Sequence, residues 1–145
     1  MISLKELSEL EGKIMVKRRK ILHKCLEKEG LYFGQPKILK IILENFECDQ
    51  NTLAKELSCS KASVTCSIKR LEKAGLIERE VSKKDMRCNI LRLTELGKEK
   101  CEIADKILKD TIEKQFEDFT DEDKDKMQYL FNKILNNLEG AYNNE

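Results

Sequence analysis

A chain of 145 residues, 38% charged and 40% apolar, with one Pro and six Gly, has the size of an ordinary domain and the composition of a soluble, helix-rich one. No apolar run approaches the ~18 residues of a membrane span, and the N-terminal MISLKELSELEGK lacks the apolar core of a secretory signal; a cytoplasmic protein with no membrane partner is expected. The net charge of +1 hides an uneven distribution, because residues 50–95 hold ten Lys/Arg against six Asp/Glu, whereas residues 110–145 hold four against ten. Screening limits the reach of the acidic end to about 10 Å, so the basic middle keeps its attraction for an anionic partner.

In chain order, residues 3–29 read as a long helix in which Leu4, Leu7, Ile14, Ile21, Cys25 and Leu26 recur near one face. The basic cluster Lys17, Arg18, Arg19, Lys20 reads as its solvated side. Gly30 and Gly34 bracket a short loop, and Pro36 opens a second helix expected to turn Ile38, Leu39, Ile42, Leu43 and Phe46 inward.

Asp49 is placed to cap a third helix whose Leu53, Ala54 and Leu57 share a face; Ser58 and Cys59 make a turn, and Ser60 caps the next helix. From Lys61 on, Val64, Ile68 and Leu71 form one buried stripe, which leaves a free face with Ala62, Thr65, Cys66, Lys69 and Lys73, flanked by Ser63 and Arg70. Small and hydroxylic residues near a helix N-terminus let the backbone approach base edges, and the basic residues farther along can reach phosphates. Gly75 ends the helix as a left-handed cap. Two strands, residues 76–81 and 88–94, then flank a polar loop that puts Lys83, Lys84 and Arg87 at its tip, where a minor groove would attract them. Asp85, two residues before Arg87, offers that arginine an alternative role as a loop-fixing partner.

After the hairpin, Thr94 can cap a helix with Ile103, Ala104, Ile107, Leu108, Thr111, Ile112, Phe116 and Phe119 in a continuous stripe. Thr120 and the acidic residues 121–123 mark the start of a last helix, which presents Met127, Leu130, Phe131, Ile134, Leu135 and Leu138 and is expected to end near Gly140, with residues 143–145 frayed. A lobe of about 65 residues cannot cover three long amphipathic helices. A second copy of the chain, related by a two-fold axis, can. The expected fold is mostly α (α+β), a winged helix-turn-helix at 31–95 flanked by dimerisation helices at 1–30 and 96–145.

Several pieces together resemble one family. They are Leu53-Ala54 with Leu57, Ser60-x-x-Ser63-Val64-Thr65, Arg70-Leu71-Glu72-x-x-Gly75-Leu76-Ile77-x-Arg79, Asp85-x-Arg87, and Leu93-Thr94-x-x-Gly97, preceded by Gly30-Leu31 and Gln35. In that order, over residues 30–97, the chain resembles the MarR-type (multiple antibiotic resistance regulator) transcriptional regulators. Tyr32 stands where the family often has Thr, and Cys66 where many members carry Arg. The resemblance implies a homodimeric DNA-binding regulator, a repressor, on an inverted-repeat operator of double-stranded DNA. It also implies modulation by a small aromatic or phenolic effector held where dimer helices meet the winged-helix lobe, or by oxidation of a thiol.

Expected roles follow. Ser63, Thr65 and Lys69, with Cys66 among them, face the major groove; Ser60, Lys61 and Arg70 hold phosphates; Lys83, Lys84 and Arg87 serve the wing. His23, Tyr32, Phe33 and Phe46 are the candidate ligand-pocket residues. No catalytic constellation, phosphate loop or cofactor motif is present, so no enzyme is expected. The six cysteines show no CxxC pair, and His23 is the one histidine, so no zinc site of ordinary spacing is visible; most of the thiols are expected to be small buried hydrophobes. Cys25 and Cys66 alone have basic neighbours that suit a reactive thiolate. The alternative from another class is a winged-helix module that docks a protein. The basic balance of the lobe and its lack of aromatic anchors argue against it.

Overall fold

In the computed structural model, which describes residues 1–142, Ser3 opens the first helix with a reciprocal cap: its hydroxyl accepts the Glu6 N–H, and the Glu6 carboxylate accepts the Ser3 N–H. Helix α1 then runs over Leu4–Lys28. A left-handed Gly34 and Pro36 in the first turn start α2, Gln35–Glu44. The Asp49 carboxylate accepts the Thr52 N–H at 2.7 Å and caps α3, Gln50–Leu57; the Ser60 hydroxyl accepts the Ser63 N–H and caps α4, Lys61–Lys73. Strands β1 (Ile77–Val81) and β2 (Asn89–Leu93) pair antiparallel with Ile77 opposite Leu93 and Val81 opposite Asn89. Helices α5 (Glu95–Gln115) and α6 (Asp121–Tyr142) complete the described residues. Mostly helical, with one two-stranded wing, this is the expected fold class.

Two compact units divide at Thr111, one comprising residues 1–111 and the other starting at Ile112. The first has a single core, built from Leu26 of α1, Leu39 and Ile42 of α2, Leu53 of α3, Ile68 and Leu71 of α4, Leu91 of β2, and Cys101 and Ala104 of α5. Each large aliphatic buried there contributes about 1.5–3 kcal/mol. The Val64, Ile68, Leu71 stripe is fully buried as its spacing predicts, so the opposite side of α4 faces solvent. Gly75 takes φ +71°, its N–H bonding to the Glu72 carbonyl and that of Leu76 to the Leu71 carbonyl, which ends α4 in a Schellman turn. Thr94 then ties α5 to this turn, donating to the Gly75 carbonyl at 2.6 Å while accepting the Gly97 N–H at 3.0 Å.

Four expectations need correction. Leu43 and Phe46 do not turn inward: Ile41 takes the buried position, and Phe46 lies beyond the end of α2, 73% exposed, with its ring against the Arg92 guanidinium. The stripe of α5 does not run unbroken to Phe119, because the helix ends at Gln115 and Phe116 and Phe119 pack edge to face at 5.1 Å just beyond it. Helix α6 continues through Gly140 to Tyr142. Only Cys48 and Cys101 are buried thiols; Cys25 is half-buried, and Cys59, Cys66 and Cys88 are exposed. The expected fraying of 143–145 lies outside the described residues. No helix among the described residues is long and apolar enough to cross a membrane.

Candidate nucleic-acid interface

Helix α3 packs on α4, and α4 on β1, so the second helix of the turn and the hairpin belong to one body. The sharp step between the helices comes from Ser58, which holds φ +51°, the one positive φ outside glycine among the described residues. Its N–H bonds to the Lys55 carbonyl and that of Cys59 to the Ala54 carbonyl.

On the outer side of α4, Lys61, Ala62, Ser63, Cys66, Lys69, Arg70 and Lys73 are exposed, as the free-face assignment requires. The hydroxyls are more committed than the spacing suggests. Ser60 Oγ, besides capping the helix, bonds to Ser63 Oγ at 3.0 Å. Thr65 is half-buried; its hydroxyl donates to the Lys61 carbonyl at 2.7 Å and accepts from the Gln50 amide, which also reaches the Lys61 carbonyl. Gln50 thus joins the start of α3 to the first turns of α4, a role that periodicity could not reveal because the partners lie 15 residues apart.

Arg79 and Glu72, both in the quoted motif, pair with each other: Nε lies 2.7 Å from Oε1 and Nη2 3.5 Å from Oε2. This clamps the end of α4 to β1. In the wing loop, Lys83, Lys84 and Arg87 are exposed at the tip. The Asp85 carboxylate does fix the loop, but it accepts the Arg87 backbone N–H at 3.0 Å, and no ion pair joins it to the guanidinium among the described residues. Lys61, Lys69, Arg70, Lys73, Lys83, Lys84 and Arg87 make no ion pair among the described residues, whereas Lys40, Lys98, Lys100, Lys114, Lys124 and Lys126 each have a carboxylate partner. Their charge is directed to solvent.

Of the four candidate pocket residues, Tyr32 and Phe33 come together. They line a cleft of about 350 Å3 between the loop before α2 and helix α4, together with Cys59, Ser63, Ser67 and Arg70. The Arg19 guanidinium lies over the Phe33 ring at 4.8 Å. His23 is elsewhere, exposed on α1 with Nδ1 4.0 Å from Glu27, and Phe46 is at the foot of the hairpin. Burial pushes the Cys48 thiol up to about 11 and raises that of Cys101, while the Asp85 carboxylate raises that of Cys88. No group of three or more His, Cys, Asp or Glu among the described residues is placed to hold a metal ion.

A tri-helical lobe with an exposed basic second helix and a basic hairpin defines the winged helix-turn-helix class. Within it, residues 31–89 match the model of the MarR family. Among solved structures the chain is similar to a glycine-to-lysine variant of S. aureus MepR, 22% identical, with a TM-score of 0.80 over 94% of this chain and 99% of that one. It is also similar to S. aureus MepR in complex with DNA, 21% identical, TM-score 0.71, covering 94% and 96%. A cysteine-to-serine variant of E. coli MarR complexed with operator DNA is 25% identical, TM-score 0.72, covering 89% and 93%. No curated protein sequence matches the chain significantly. The fold across the chain is therefore the one that these MepR and MarR structures share.

Proposed function

We propose that the protein is a homodimeric, sequence-specific DNA-binding transcriptional regulator, a repressor, that recognises an inverted-repeat operator. The observation that carries this reading is the set of seven cations on α4 and the wing that are exposed and make no ion pair among the described residues, on a lobe that matches the MarR family model. Lys69, Ser63 and Cys66 face the major groove; Ser60, Lys61 and Arg70 meet phosphates; Lys83, Lys84 and Arg87 enter the minor groove. Thr65 supports the reading helix through Gln50 more than it reads bases. The dimer is supported by apolar side chains exposed in the single chain, among them Leu7, Leu10 and Ile14 of α1 and Phe131, Ile134 and Leu138 of α6. The two reading helices then lie about one DNA turn, ~34 Å, apart.

An effector fits the same reading. The cleft containing Tyr32, Phe33 and Arg70 offers aromatic faces and a cation, which suit a small aromatic or phenolic acid, and it borders α4, so occupancy couples to DNA affinity. For oxidation, Cys66 is the thiol placed to act, exposed on the reading helix. The test is binding of the purified protein, at several salt concentrations, to the duplex upstream of its own coding region beside a scrambled duplex. Preference for the native duplex that survives moderate salt, with release by a simple aromatic carboxylate, is the expected result. A folded dimer that binds neither duplex at low salt moves the assignment to a protein-docking module.

A further inference from the structure

We infer that Glu47 and Ser82 are positioning residues for DNA binding: a carboxylate–hydroxyl contact between the α2–α3 connection and the foot of the wing sets the direction in which Lys83, Lys84 and Arg87 are presented. The inference rests on the DNA-binding reading above.

Ser82 directly follows β1 at the start of a polar loop, yet it is only 4% exposed. Its hydroxyl donates to Glu47 Oε2 at 2.9 Å and accepts the backbone N–H groups of Lys84 at 3.2 Å and Asp85 at 3.3 Å; its own N–H bonds to the Cys88 carbonyl at 2.9 Å. One hydroxyl therefore shapes the first turn of the loop and ties it to a side chain 35 residues earlier. The Glu47 end is held on both sides. The Phe46 carbonyl accepts from the Arg92 guanidinium, which lies 4.6 Å from the Phe46 ring centre and reaches Glu80 Oε2 at 3.2 Å. The Cys48 carbonyl accepts the Leu91 N–H at 2.7 Å. The connection is thus pinned to β2, and Glu47 carries that rigidity to the loop.

The energetic reason is ordering. Fixing a loop residue costs about 1–2 kcal/mol of backbone entropy, and ordering left until binding is subtracted from affinity. A loop ordered by Ser82 and Glu47 meets the groove with that cost already met during folding. Losing the Ser82 hydroxyl also leaves two loop amides without their acceptor.

The experiment uses the full chain and a duplex enriched by the wild-type protein from a random-sequence pool. Ser82→Ala, Glu47→Ala and Glu47→Gln are each measured with the native wing and in a Lys83→Ala/Lys84→Ala/Arg87→Ala background. With the native wing, Ser82→Ala and Glu47→Ala are expected to weaken binding about tenfold. Glu47→Gln keeps an acceptor oxygen and most of the affinity. In the neutralised-wing background all three are expected to change nothing, because the contact acts only through the wing. Thermal denaturation confirms that each variant is folded. Equal losses in both backgrounds would assign the contact to the stability of the whole lobe and overturn the inference. So would unchanged affinity of Ser82→Ala and Glu47→Ala with the native wing, or a neutralised wing that binds as tightly as wild type. If the wild-type protein enriches no sequence, the DNA-binding reading falls first and takes this inference with it.

Discussion

At Gly97 the backbone of α5 comes so close to the turn after α4 that a Cβ would stand 1.9 Å from the Leu76 carbonyl oxygen. Neither atom belongs to a flexible side chain, so Gly97→Ala must separate α5 from the lobe. Destabilisation of at least about 2 kcal/mol is expected in denaturant titration, with the midpoint reporting it. Cys48 makes a second statement about single residues. It is fully buried, and its thiol is raised from 9.0 to about 11, so the folded state holds the proton that an unfolded chain gives up. The stability this contributes is complete below about pH 9 and is lost as pH rises through about 11. A loss on the order of 2 kcal/mol is expected across that window relative to Cys48→Ala, which has no thiol to titrate. Equal alkaline slopes for the two proteins would count against it.

Elements were legible in the sequence where a local rule governs them. Asp49, Ser60, Thr94 and Thr120 each sit where a cap is needed and each makes its capping bond. The three-four spacing of Val64, Ile68 and Leu71 correctly placed the solvent face of α4, because burial on a helix follows its period. Less legible was which hydroxyls on that face remain available. Thr65 looks free by spacing and is engaged by Gln50 across the turn. Phe46 failed for another reason: α2 ends at Glu44, so Phe46 leaves the helical period that would have buried it, whereas Leu43, inside α2, is exposed and Ile41 is buried in its stead. Two measurements belong to this scale. Lys69→Ala should weaken operator binding and lower the slope of log affinity against log salt by about 1, if its ammonium meets one phosphate; an unchanged slope removes it from that contact. Ser58→Gly relieves a left-handed serine and should stabilise the lobe by up to about 1 kcal/mol in thermal unfolding without changing DNA affinity.

For the whole molecule, the governing fact is the apolar surface left on α1 and α6. Leu130, Phe131, Ile134, Leu135 and Leu138 are all more than half exposed, on a helix that otherwise carries abundant charge. Sedimentation of the wild-type protein as a dimer is expected, with Ile134→Glu/Leu138→Glu giving a folded monomer. Loss of the second reading helix should then reduce operator affinity at least about a hundredfold through lost bivalency. A double variant that stays dimeric would place the interface elsewhere. The amino-acid order alone determined the helices, their caps, the hairpin and the basic character of α4 and the wing, because these follow from bonds and periodicities within a few residues. The Gln50–Thr65 link, the Arg92–Phe46 stack, the Glu47–Ser82 contact and the separation of His23 and Phe46 from the Tyr32–Phe33 cleft were decided by the tertiary structure. The three contacts join residues 15 to 46 positions apart. Which side chains meet at such separations depends on how the finished elements pack, and no local propensity encodes it.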